Sequence, residues 1–192
     1  MKSISGVVIT FNEQAKIERA LTSLKPVCDE IVVVDSFSKD QTPAICRRYT
    51  DRFYQFEWTG YRNQKQKATD LAAGPWVLSL DADEAVSDLL RTEILSWKSA
   101  PEPVGTMGYH IPRMGYFLGR WIRHTTWYPD LQLRLFRKDA GRWVGERVHE
   151  HYALEQGSVG RLSSPILHYS YSTTGEYLEQ LRHFTELAAA DY

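Results

Sequence analysis

One repeating pattern in the first half of the chain leaves few folds open. Short β-branched runs alternate with longer stretches whose apolar residues recur at helical spacing. "ISGVVIT", "EIVVVD" and "WVLSLD" read as buried strands, and "RFYQFEW" as a further one. Between them, "NEQAKIERALTSLK" puts Ile17, Ala20, Leu21 and Leu24 on one helical face. "SKDQTPAICRRY" opens a second helix, with Ser38 as the expected N-cap, Gln41 three residues on and Pro43 near the start. "YRNQKQKATDLAAG" reads as a third, stopped by Gly74. Such alternation builds a mostly parallel sheet flanked by helices, the α/β class, whose ligands bind at the carboxyl ends of the strands.

The second half changes character. "VSDLLRTEILSWK" is one more amphipathic helix. The text then turns strand-like and aromatic through "YHIPRMGYFLGRWI", "LQLRLFRK", "GRWVGERVHE" and "PILHYSY". A last helical segment carries Tyr177, Leu181, Phe184 and Leu187 or Ala188 on a stripe and stops without a C-cap signal, so the natural chain is expected to continue beyond Tyr192. The 192 residues are expected to form one domain, 1–192, with a ligand-binding half over 1–100 and a β-rich half over 101–192.

With a formal net charge of -1, nothing in the balance points to nucleic acid. Charge is uneven, however: from His110 to Glu150 eight Arg or Lys face four acids, a surface that could meet an anionic ligand or lipid headgroups. Cys28 and Cys46 give neither a disulfide framework nor zinc spacing. The N-terminus lacks a signal-peptide pattern and no run reaches a membrane-spanning length, so a cytoplasmic location is expected.

The "VLSLDADEA" stretch runs from a buried strand into Asp81, Asp83 and Glu84. Alternation along an extended chain would aim Asp81 and Asp83 the same way and leave Glu84 as a turn or helix-start residue. Carboxylates crowded this closely need a counter-charge, and a divalent cation carrying a diphosphate would supply it from outside the chain. Two other strands end in polar residues on the same sheet edge: Thr10, Phe11, Asn12 and Glu13 after the first, and Asp35, Ser36, Ser38, Asp40 and Thr42 after the second.

Taken together, "ITFNE", "VVVDSFSKDQT" and "LSLDADEAVS" resemble family 2 glycosyltransferases with the GT-A fold. The downstream "LQLRLFRKDAGRWVGERVHE" and "ILHYSYSTTGEYLEQL" are similar to the branch that adds glucose to the inner core of lipopolysaccharide, the β-1,4-glucosyltransferase type. The sequence departs from that pattern at Phe37 and Gln41, where relatives often have Gly; Phe resists the backbone angles that Gly permits. Relatives also carry a longer basic and apolar C-terminal extension that associates with the membrane, so peripheral contact with the inner face of the cytoplasmic membrane is expected for a longer chain.

The resemblance implies a UDP-sugar donor, a lipopolysaccharide-core or related glycan acceptor, and Mg²⁺ or Mn²⁺ as cofactor. It implies that Thr10, Phe11, Asn12 and Glu13 line the nucleoside pocket, that Asp35 faces the uracil with Ser36 beside it, and that Asn63 and Lys67 approach the ribose or diphosphate. Asp81 would lie near the ribose or the metal, with Ala82 also on the donor side, Asp83 would bind the metal, and His168 would stand close to metal and diphosphate. An inverting displacement needs a carboxylate to take the acceptor proton. The candidates are Glu150, then Glu146, then Asp130. Arg120, Trp121, Arg123 and Trp127 would form the acceptor side, since aromatic faces stack on sugar rings and Arg pairs with phosphate.

Other classes compete. A phosphatase with Asp-x-Asp would carry it near the start of the domain. A sugar nucleotidyltransferase would show a Gly-rich basic N-terminal loop. A nucleotide-sugar-binding protein or fragment with little transfer activity would keep the donor residues and lack turnover.

Overall fold

The computed structural model describes all residues except 102–103, 126, 146–148, 172 and 190–192, and the side chains of several residues in the last helix. In chain order the elements are β1 (Ile4–Thr10), α1 (Ile17–Leu24), β2 (Glu30–Asp35), α2 (Thr42–Cys46), β3 (Phe53–Gln55), α3 (Tyr61–Leu71), β4 (Trp76–Asp81), β5 (Glu84–Val86) and α4 (Asp88–Ser99). There follow β6 (Thr106–Phe117), β7 (Arg120–Trp121), β8 (Asp130–Arg137), β9 (Gly141–Val144), β10 (His151–Leu154), β11 (Ser158–Arg161), β12 (Ile166–Tyr171) and α5 (Thr174–Ala189).

One sheet runs β3-β2-β1-β4-β8-β6-β12-β5, with β7 and β11 paired to β6. The β3-β2-β1-β4 part is parallel, as the alternation of strands and helices requires. Beyond it β8 joins β4 antiparallel and the sheet becomes mixed. A separate hairpin pairs β9 with β10.

Period-two alternation sorts the apolar residues onto two faces. Ile4, Val8, Val33, Trp76, Leu78 and Leu80 pack against α1, α2 and α4 through Leu21, Leu24, Ile45, Leu90 and Ile94. Val7, Ile9, Val32, Val34, Val77 and Phe136 pack on the opposite face against Ala68 of α3, Ala72 just after it, and Trp143 and Tyr152 of the β9–β10 hairpin. That hairpin is fixed to α3 by Trp143, whose backbone N–H donates to Gln66 Oε1 at 2.9 Å and whose ring N–H donates to Thr69 Oγ1 at 3.0 Å. Full burial of side chains of this size contributes roughly 1.5–3 kcal/mol each before entropy is counted.

Several local expectations are corrected. The first helix starts at Ile17 rather than at Asn12, because residues 12–16 form a turn tied to the next loop. Ser38 does not cap α2: its hydroxyl binds Asp35 and accepts from the Asn12 N–H, and Asp40 Oδ1 accepts the Thr42 N–H instead. Helix α3 ends at Leu71, and the Gly74 N–H donates to Ser5 Oγ at 2.8 Å. The short strands β5, β10 and β11 had no periodic signal of their own, being three or four residues long.

Candidate active site

The site forms where β1, β2 and β4 end. The first two strand ends are joined by side chains. Asn12 stands in the left-handed region at φ 54°, which Asn tolerates, and its Oδ1 accepts the Lys39 N–H at 2.8 Å. The Glu13 N–H donates to Thr42 Oγ1, and the Gln14 N–H to Asp40 Oδ2. Phe37 also takes a positive φ, 62°, so the loop follows the path a Gly would take although the residue is Phe. Phe11 and Phe37 remain exposed at the rim.

Asp35 lies beneath this loop, fully buried. Its carboxylate accepts from the Ser38 N–H and hydroxyl and from Gln55 Nε2, so in this arrangement it orders the 36–38 loop and presents no open edge. Ser36 Oγ accepts from Gln64 Nε2 at 3.0 Å, and Thr10 is buried with no hydrogen-bond partner for its hydroxyl among the described residues.

The acidic stretch carries the main correction. Strand β4 stops at Asp81, a turn holds Ala82 and Asp83, and Glu84 begins β5, so strict alternation does not extend across the triplet. Asp81 keeps the parity of Val77 and Ser79 and points to the α3 face. There Lys65 Nζ approaches Asp81 Oδ1 at 2.9 Å, and Arg134 Nη2 approaches Asp81 Oδ2 at 2.8 Å. Glu84 is no surface turn residue. It is 1% exposed, accepts from Arg134 at 2.8 Å and from Arg113 at 3.4 Å, and closes the turn by accepting the Asp81 N–H. The counter-charge for Asp81 and Glu84 therefore comes from the chain itself. Burial opposes the charged form of Asp81, but the nearby Arg134 and Lys65 outweigh it and hold the carboxyl well below its ordinary pKa.

Asp83 faces a different partner. Its Oδ2 lies 3.2 Å from His168 Nε2, and Ser170 Oγ lies 3.0 Å from the other ring nitrogen. Burial disfavours the His168 cation, yet the hydrogen bond and charge of Asp83 win and raise its pKa. Burial likewise works against the Asp83 carboxylate, and His168 overcomes it and lowers that pKa. Burial lifts the Glu13 pKa, with Lys16 opposing and Asp83 adding to the rise.

Asp83 and His168 are each about a quarter exposed, at 24% and 23% of the side chain. An open two-ligand corner fits Mg²⁺ or Mn²⁺, which take one or two protein ligands and fill their remaining positions with phosphate oxygens and water; an imidazole suits Mn²⁺ better. Among the described residues no group of three or more His, Cys, Asp or Glu forms a closed metal cage.

Glu150, just before β10, reaches the cluster through Lys65 at 2.9 Å, and its second oxygen is buried without a partner among the described residues. Glu146 lies outside the described residues. Asp130 is paired across the β6–β8 ladder with Arg113 at 2.7 Å and accepts from Gln132, so it orients a cation rather than standing free. Asn63 and Lys67 sit on another side of α3 and turn back to Thr59, with Lys67 also over the Phe56 ring. Lys65, two residues earlier, is the lysine brought to Asp81.

On the other half, Trp121 packs edge-on against Tyr116 and Tyr169, and Trp127 against Phe117. Arg120 and Arg123 are exposed beside them. Lys65, Arg134 and Arg113 were not singled out from the sequence. For Arg134 a signal existed: it shares the inward parity of Phe136 within "LQLRLF", and a buried Arg demands carboxylate partners. Among the described residues no helix is long and apolar enough to cross a membrane.

The family model described as glycosyl transferase family 2 matches residues 5–153. The lipopolysaccharide core biosynthesis glycosyltransferase LpsC of Rhizobium meliloti is 31% identical over 97% of this chain and 70% of its own length. Among solved structures, S. aureus TarS 1-349 in complex with UDP-GlcNAc superposes with a TM-score of 0.63 at 17% identity, over 92% of this chain and 61% of that one. Glucosyl-3-phosphoglycerate synthase from Mycobacterium tuberculosis, in complex with Mg²⁺ and UDP, gives a TM-score of 0.59 at 14% identity, over 88% of this chain and 72% of that one.

Proposed function

The chain belongs to glycosyl transferase family 2 and is a glycosyltransferase of the GT-A fold, and from that premise we propose that it moves a hexose, glucose in the simplest case, from a UDP-sugar to a lipopolysaccharide-core or related glycan acceptor with inversion. The observation that carries this reading is the junction of two kinds of site at one sheet edge. Asp81 and Glu150 meet the cations Lys65 and Arg134 in a largely buried group, and Asp83 with His168 forms an open acidic corner beside it. LpsC, named for lipopolysaccharide core biosynthesis, supports the acceptor class.

In this reading the nucleoside lies against the joined loops of Thr10–Glu13 and Asp35–Ser38, with Phe11 and Phe37 as exposed rings at its rim. Asp83 and His168 hold the divalent ion, which when bound stabilises the charge that gathers on the leaving diphosphate. Asp81 is held rigid by two cations, so it offers a fixed acceptor toward the ribose. Glu150 takes the proton of the attacking hydroxyl. Its Oε1 is anchored on Lys65, and its Oε2, without a hydrogen-bond partner among the described residues, is the oxygen left to accept. Asp130, already committed to Arg113, is the weaker candidate. The half built from 101–192 receives the acceptor beside Arg120, Trp121, Arg123 and Trp127.

Titration calorimetry with UDP, UDP-glucose, UDP-N-acetylglucosamine and GDP-mannose, with and without Mn²⁺, tests the reading. UDP and one UDP-sugar should bind, more tightly with the ion. Absence of UDP binding under every metal condition would overturn it.

A further inference from the structure

The geometry points to Lys65 as the positioning residue that fixes the proposed base, Glu150, against the donor-side carboxylate Asp81; this rests on the reading of Glu150 given above. Lys65 is on the inward face of α3 and only 5% exposed. Its Nζ reaches Asp81 Oδ1 and Glu150 Oε1, each at 2.9 Å. The two carboxylates arrive from different parts of the chain, Asp81 at the end of β4 and Glu150 in the loop just before β10. Like charges converging on one buried point repel unless a cation stands between them, and one ammonium answers both.

The two partners depend on Lys65 unequally. Asp81 has a second anchor, Arg134, on its other oxygen at 2.8 Å. Among the described residues Glu150 hydrogen-bonds only to Lys65, its Oε2 being buried without a partner, and Arg134 acts on it through charge alone. Removing the ammonium therefore leaves the donor carboxylate in place and releases the base. Lys65 is itself held: its Nζ lies 5.1 Å from the centre of the Trp143 ring, and Trp143 binds Gln66 and Thr69 on the same helix. The hairpin that carries Glu150 and the helix that carries Lys65 are thus locked together. Arg134 lacks this role, since its hydrogen bonds go to Asp81 and Glu84 and none to Glu150.

A double-mutant cycle tests the assignment. Lys65→Met keeps the aliphatic stem and removes the charge. Donor dissociation constant, kcat and acceptor KM are measured for wild type, Lys65→Met, Glu150→Gln and the double variant. Lys65→Met should lower kcat about tenfold to hundredfold, the cost of a misplaced reacting group. Donor affinity should stay within about threefold, because Arg134 still holds Asp81. The double variant should be no slower than Glu150→Gln alone, since a residue that acts through the base has nothing left to act on. Multiplicative losses, an unchanged kcat, or donor affinity falling in step with kcat would each overturn the inference. If circular dichroism shows Lys65→Met unfolded, Lys65→Gln runs the same cycle. A wild-type chain that binds no nucleotide sugar refutes the functional reading itself; one that binds and transfers while the cycle fails refutes the Lys65 role alone.

Discussion

Arg134 Nη2 lies 2.8 Å from Asp81 Oδ2, and the same nitrogen lies 2.8 Å from Glu84 Oε1. One side chain inside the sheet thus answers two of the three carboxylates at the end of β4. Arg134 is 4% exposed and Glu84 1%, so neither charge has water to fall back on. Arg134→Met should cost about 3–5 kcal/mol, the penalty for stranding a buried partner. Arg134→Met with Glu84→Gln should recover part of that loss, because the stranded charge is gone. Urea unfolding of wild type, Arg134→Met, Glu84→Gln and the double variant measures both terms. Equal stability of Arg134→Met and wild type would show that the pair holds nothing together.

The same network makes a prediction for acid. The folded pKa of Asp81 is depressed, by Arg134 and Lys65 against the opposing effect of burial. Its contribution to stability is therefore fully present above the unfolded value of about 3.9 and is lost as pH falls through the lower folded value. Asp81→Asn carries no such dependence. The stability gap between wild type and Asp81→Asn should be constant near neutrality and shrink as pH drops below about 4. Urea midpoints taken at a series of pH values check it, and a gap that widens in acid would contradict the sign.

Reading the sequence worked where the signal was local. The short β-branched, apolar runs located β1, β2 and β4, and the helical stripe of Ile17, Ala20, Leu21 and Leu24 is the buried face of α1. It failed where partners are distant. Asp81, Lys65, Arg134 and Glu150 lie on four elements, and no periodicity records that they meet. Glu84 shows why: a charged residue after Asp-x-Asp reads as solvated unless Arg134 and Arg113 are known to face it. Asp83 and His168 meet for the same topological reason, because β5 leaves the end of β4 and crosses to pair with β12, where Glu84 sits opposite His168.

Phe37 gives a prediction about the loop over Asp35. Its φ of 62° is in the left-handed region, which costs an L-residue roughly 1–2 kcal/mol. Phe37→Gly removes that strain but adds unfolded-state entropy worth up to about 1 kcal/mol. The side chain is 37% exposed, so little packing is lost. The two terms nearly cancel, and Phe37→Gly should melt close to wild type. Phe37→Val, β-branched in the same conformation, should be less stable by about 1–2 kcal/mol. Thermal melts of the two variants should separate clearly; equal melting temperatures would show that the loop relaxes out of this conformation.

Asp83 and His168 predict how the metal is felt. Asp83→Asn keeps the shape of the side chain and removes the anionic ligand. Donor binding in Mn²⁺ should weaken by roughly tenfold or more, and binding without metal should change little. Calorimetry with UDP in the two conditions separates these outcomes. A metal effect of wild-type size in Asp83→Asn would place the ion elsewhere.

Arg120 and Arg123 are exposed beside a packed aromatic cluster. Trp121 sits edge-on between Tyr116, at 5.0 Å, and Tyr169, at 5.1 Å, and Trp127 packs on Phe117 at 5.6 Å. Exposed guanidinium groups contribute little to folding, so replacing both with Ala should leave the melting temperature within a few degrees. They suit an anionic acceptor: each guanidinium is a planar fork of donors that pairs with phosphate, and each attraction is screened by salt. The double variant should raise the acceptor KM about tenfold while donor hydrolysis stays within about twofold of wild type. The rise should diminish at high ionic strength, because the wild-type enzyme then loses the same attraction. Steady-state kinetics with a phosphorylated core oligosaccharide, at low and high salt, measure all three quantities. An acceptor KM that does not move would take this pair out of acceptor binding and leave the hairpin as a packed aromatic ribbon.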